Sequence, residues 1–95
     1  RGGYRRWGEN VGRSINMALH VDILTPEKSL FKGEATAIQF PGTEGLFQVL
    51  TDHAPIMASL AQGSIVIDGA SGRTTVDIQG GVVEVSNNVV SVLAR

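Results

Sequence analysis

Residues 81–95 read GVVEVSNNVVSVLAR. Two short valine-rich runs stand on either side of Asn87-Asn88. Valine is β-branched and suits a pleated strand better than a helix. Asparagine tolerates the left-handed backbone of a two-residue hairpin turn. The stretch therefore predicts two antiparallel strands and a tight turn. Upstream, Gly80-Gly81 separates this unit from another alternating run, in which Thr74, Val76 and Ile78 oppose Thr75, Asp77 and Gln79.

The same period of two extends back through the chain. Leu19, Val21 and Ile23 alternate with His20 and Asp22, and Thr36, Ile38 and Phe40 alternate with Ala35, Ala37 and Gln39. LFQVL at 46–50 and SIVID at 64–68 have strand composition. Punctuation recurs every eight to twelve residues: TPEK, KG, PGTEG, TDHAP, QGS, GASG, GG and NN. Thr25-Pro26-Glu27 could cap one helical turn, but nothing after it sustains a helix. Many short strands with regular turns predict an all-β domain, an antiparallel β-sandwich or flattened barrel.

With 95 residues and 42% apolar content, the chain suits one domain with a modest core. It has no cysteine, which removes disulfides and thiolate metal sites. No apolar run approaches the roughly 20 residues of a membrane-spanning helix. The net charge of −1 is uneven. Arg1, Arg5, Arg6 and Arg13 against Glu9 give residues 1–16 a charge of +3, and the remainder carries −4. An acidic body is a poor electrostatic match for nucleic acid. Residues 1–16 lack periodicity and hold four glycines. They are expected to be a non-native or disordered N-terminal extension, with the β-sandwich domain spanning 17–95 from a natural start at Met17. An RNA-binding arm stacking through Tyr4 and Trp7 is the alternative for this segment, and it rests on a single RGG.

Candidate chemistry is sparse. Asp52-His53 suggests a hydrolase, with Thr51, Ser59 or Ser64 as nucleophile. However, no serine lies in a nucleophile-elbow pattern. In a TDHAP turn the aspartate is expected to cap local backbone amides, and the histidine to pack or bond locally. His20 and His53 are the only histidines, too few for a metal site without further ligands. His20 is expected to be solvated. PGTEG at 41–45 lacks the lysine and spacing of a nucleotide phosphate loop. Its glycines are expected to serve a tight turn, as are Gly80 and Gly81. What remains is a shaped, rather apolar turn region, 41–46 and 53–57, suited to contact with another macromolecule.

Several stretches together resemble the epsilon subunit of F-type ATP synthases, called delta in mitochondria. They are VDILTPEK at 21–28, FKGEA at 31–35, PGTEG at 41–45, HAP at 53–55 and GGVVEVSNNVVSVLA at 80–94. The resemblance covers 17–95 in the family's order and spacing. It implies a sandwich of about ten strands with no catalytic residues, cofactor or metal. It also implies a rotor subunit at the foot of the central stalk, bound to the gamma subunit and touching the polar loops of the c-ring. That position is peripheral, on the cytoplasmic face of the energy-transducing membrane, without insertion into it. Thr43, Glu44, Gly45 and Leu46 are then expected at the c-ring. His53, Ala54, Pro55 and Ile56 are expected at the gamma contact, at the same end of the sandwich. Gly42, Gly80, Gly81, Asn87 and Asn88 are expected to shape turns.

Two departures stand out. The family often has an acidic residue and a glycine where this chain has Leu46 and Gln48, and P-G or P-x before HAP where it has Thr51-Asp52. Both suggest a more apolar ring contact. Many members continue into a two-helix domain that inhibits hydrolysis and in some cases binds ATP. This sequence stops at Arg95, as in a short form or a fragment, and ATP binding is not expected of it.

Overall fold

The computed structural model describes residues 18–95. The expectation for residues 1–16 lies outside them. Nine strands follow one another: β1 Leu19–Leu24, β2 Ser29–Ala35, β3 Ala37–Gly42, β4 Gly45–Leu50, β5 Ile56–Leu60, β6 Gly63–Gly69, β7 Gly72–Ile78, β8 Gly81–Ser86 and β9 Val89–Ala94. The described residues contain no helix.

The strands form one folded sheet in the order β2-β1-β9-β8-β5-β3-β6-β7, with β4 on the other side of β3. One edge of β3 carries β4 along its whole length. Its other edge is divided between β6, opposite residues 37–39, and β5, opposite Gly42 alone. That narrow junction is reinforced by Ala61 N–H donating to the Pro41 carbonyl (2.7 Å). It lets the sheet fold over into two layers, β2-β1-β9-β8-β5 and β4-β3-β6-β7.

Alternation fixes which side chains enter the space between the layers. The first layer contributes Leu19, Val21 and Ile23 from β1, Val83 and Val85 from β8, and Val90 and Val92 from β9, all essentially inaccessible. The second contributes Ile38, Phe40, Val49, Ile65, Ile67 and Ile78. Phe40 is the largest of these buried side chains, and Phe47 on β4 stacks against it at 5.4 Å between ring centroids.

One pairing departs from the antiparallel expectation. β9 lies antiparallel to β8 but parallel to β1, with Val90 opposite Val21 and Val92 opposite Ile23. The strand composition of β1 and β9 is compatible with either direction. Direction is set by the long connection between them rather than by the local pattern.

The turn glycines differ in what requires them. Gly45 (φ +122°), Gly80 and Gly81 (both φ +154°) occupy backbone that side chains rarely adopt. Gly42 has no such φ, but a Cβ there would sit 2.7 Å from the Gly45 carbonyl oxygen and 2.9 Å from the Phe47 ring. A Cβ at Gly81 would press on the Leu93 carbonyl of the neighbouring strand.

Candidate contact surface

The β3–β4 hairpin turns through Thr43 and Glu44, with Gly42 opposite Gly45 as its last pair. Thr43, Glu44, Gly45 and Leu46 are all exposed, Leu46 at 70%. The only bond tying this turn to the rest of the fold, among the described residues, is Thr43 N–H donating to the Ser59 carbonyl (3.1 Å). β4 then points Leu46, Gln48 and Leu50 outward, while Phe47 and Val49 face in.

At the far end of β4, Thr51-Asp52 reverses the chain, with His53 N–H donating to the Leu50 carbonyl (3.2 Å). His53 and Ile56 are half-buried, and Ala54 and Pro55 are exposed. The expectation that 43–46 and 53–56 share one end of the sandwich is therefore corrected. An extended six-residue strand, about 17 Å long, holds them apart. β5 separates them in the same sense: Leu60 lies opposite Gly42 and Gly81, and Ile56 lies opposite Val85 next to the β8–β9 turn.

A second correction concerns Asp52. It does not cap its own loop. Its backbone N–H donates to Asn88 Oδ1 (2.6 Å), and Asn88 Nδ2 donates back to Asp52 Oδ1 (3.3 Å). Asp52, Asn87 and Asn88 all have left-handed φ, at 62°, 53° and 62°. Two positive-φ residues at 87 and 88 define the hairpin turn expected from the sequence. Asp52, His53, Pro55, Asn87 and Asn88 together line a polar groove of about 350 Å³.

The nucleophile candidates do not meet the histidine. His53 Nδ1 is 2.7 Å from the Ala54 carbonyl. Ser64 Oγ donates to Asp77 Oδ1 at 2.5 Å on the β6–β7 hairpin. His20, exposed on β1, has the Glu34 carboxylate 3.5 Å from its Nδ1. Among the described residues, no cluster of three or more His, Cys, Asp or Glu could hold a metal. No helix there is long and apolar enough to cross a membrane.

The sequence reading overlooked the outward face of the β1-β9-β8 layer. Leu24 on β1, Leu93 on β9 and Val82 on β8 lie directly opposite one another across three strands, Leu93 at 67% exposure. With Pro26 and Ala94 they line a groove of about 410 Å³. Val89 and Met57 add exposed apolar side chains to the same face. Next to this row, Asp22 Oδ1 is buried and has no hydrogen-bond partner among the described residues. The signal was present: at the outward positions 82, 89 and 93 this chain has Val, Val and Leu, where a solvated face would carry polar residues.

The described residues form a two-layer sandwich with an exposed apolar row on its outward face. The chain belongs to the family described as the ATP synthase delta/epsilon chain β-sandwich domain, whose model matches residues 18–95. It is 40% identical over 75 residues to the ATP synthase epsilon chain of Leptospira borgpetersenii, covering 79% of this chain and 59% of the relative. It is also 40% identical over 77 residues to the epsilon chain of Caulobacter vibrioides, covering 81% of this chain and 90% of the relative. The chain thus spans about three-fifths of the first relative's length and most of the second's. A chain in the Euglena gracilis mitochondrial ATP synthase structure (OSCP/F1/c-ring) shares the fold, with a TM-score of 0.77 at 21% identity over 99% of this chain and 59% of that one.

Proposed function

We propose that this chain is a rotor subunit of the central stalk of a proton-translocating F-type ATP synthase. In this role it passes c-ring rotation to the gamma subunit and the catalytic head, and performs no catalysis itself. It sits peripherally at the cytoplasmic face of the energy-transducing membrane. The observation that carries the proposal is the apolar row Leu24–Leu93–Val82 on the outside of a rigid sheet. Exposed apolar rows of this kind mark protein partners. The gamma subunit is that partner in this reading, as the resemblance to epsilon subunits implies. The Thr43–Leu46 turn suits a contact with the polar loops of the c-ring, and His53–Ile56, at the other end of β4, suits a contact with gamma. Two contacts at separate places are what torque transfer through a small body requires.

The test is reconstitution. The chain mixed with purified gamma subunit and c-ring is expected to co-migrate with both. Leu46→Asp is expected to weaken ring assembly by about 1–3 kcal/mol and to reduce proton-coupled ATP synthesis more than soluble ATP hydrolysis. Failure to co-migrate with gamma would favour the other reading, a stand-alone binding module with an unrelated partner. A Leu46→Asp chain that couples normally would remove 43–46 from the ring contact.

A further inference from the structure

Asn88 carries a feature its turn does not require. A two-residue hairpin turn with positive φ at both positions is served at its second position by glycine at least as well as by asparagine. Here Asn88 (φ 62°) spends its side chain on a segment 36 residues away, accepting from Asp52 N–H at 2.6 Å and donating to Asp52 Oδ1 at 3.3 Å. Its carbonyl also accepts from His20 N–H on β1 at 2.8 Å. One residue thus joins β1, the β8–β9 turn and the loop that carries His53. Asp52 in turn holds left-handed backbone, which costs a non-glycine residue energy unless its surroundings fix it. Without the clasp, the Thr51–Pro55 loop is joined to the body mainly through its own ends and the His53 N–H bond to Leu50.

We propose that Asn88 is a positioning residue. By clasping Asp52 it holds His53, Ala54 and Pro55 in the conformation that meets the stalk partner, so that the loop does not have to be ordered on binding. The inference rests on the stalk reading above, with the gamma subunit as the partner. A loop ordered in advance does not lose conformational freedom on association, so the clasp raises affinity without touching the partner.

Two substitutions separate the clasp from the fold and from charge. Asn88→Gly keeps the hairpin turn and removes both side-chain bonds. Asp52→Asn removes the charge but keeps the backbone donor and an acceptor oxygen. Each full-length variant is titrated with purified gamma subunit, and amide hydrogen exchange is followed at 52–54. Asn88→Gly is expected to keep the wild-type melting curve, to exchange faster at 52–54, and to bind gamma about five- to twentyfold more weakly, the scale of ordering a few residues on association. Asp52→Asn is expected to bind and exchange like the wild type.

Wild-type affinity in Asn88→Gly would overturn the inference alone. So would an Asp52→Asn chain as weak as Asn88→Gly, because charge rather than the clasp would then matter. An Asn88→Gly chain that unfolds would make the side chain a determinant of the fold and would also overturn it. A wild-type chain that binds no gamma subunit would overturn the stalk reading and this inference together.

Discussion

The β3–β4 and β8–β9 hairpins are built to the same plan and are held differently. Each joins six-residue strands through two residues, Thr43-Glu44 in one and Asn87-Asn88 in the other. In β8–β9 the left-handed backbone lies in the turn, on asparagines. In β3–β4 it is displaced onto the following Gly45. Asparagine brings an amide that can be used elsewhere, and Asn88 uses it to bind Asp52. Glycine brings no side-chain bond, and the exposed Thr43-Glu44 turn is tied to the body by the Thr43 N–H bond to Ser59. The choice of residue for one backbone conformation thus decides whether a turn is tied into the body through a side chain or through backbone alone.

Four substitutions probe this contrast, and urea unfolding measures each. Gly81→Val, at the entry to the tied hairpin, combines a φ of +154° with a Cβ pressed on the Leu93 carbonyl. It is expected to cost about 3–5 kcal/mol, the sum of backbone strain and overpacking. A loss below about 1 kcal/mol would mean that β8 and β9 can part locally at no cost. Gly42→Ala meets the Gly45 carbonyl at 2.7 Å and the Phe47 ring at 2.9 Å. About 2–3 kcal/mol is expected, because the obstacle is partly backbone and cannot swing aside. Gly45→Ala has open space around it and only its φ of +122° to contend with. A cost of about 1–2 kcal/mol would isolate the conformational component, and an effect as large as that of Gly42→Ala would show that the exposed turn is more constrained than its bonds suggest. Leu46→Asp, 70% exposed, is expected to change stability by less than about 0.5 kcal/mol. A larger loss would place Leu46 in the body of the domain and erase the contrast between the hairpins.

The fold was legible in the sequence wherever one face of a strand is wet. Leu19, Val21 and Ile23, or Ile38 and Phe40, announce their strands because the residues between them are more exposed and mostly polar. The Asn87-Asn88 turn was legible because its backbone conformation selects few residues. The parallel β1–β9 pair was not, since period two carries no information about strand direction. The Asp52–Asn88 clasp joins residues 36 apart and leaves no local pattern. The separation of the PGTEG and TDHAP turns follows from β4 running extended between them, which sequence proximity had obscured. The apolar row was within reach: Val82, Val89 and Leu93 interrupt an alternation that the inner positions keep without exception.

The parallel pairing of β1 with β9 also sets the order in which the domain can be completed during synthesis. β9 sits between the first strand and the eighth, with Val89 opposite both His20 and Ser86. Until Ala94 has emerged, β1 and β8 each present an unpaired edge, the kind of edge that joins neighbouring chains. The first layer of this domain therefore stays open until β9 has emerged. Sealing it requires the loss of chain freedom across nearly the whole domain in one step, which places folding among the slower, millisecond-to-second class of β proteins.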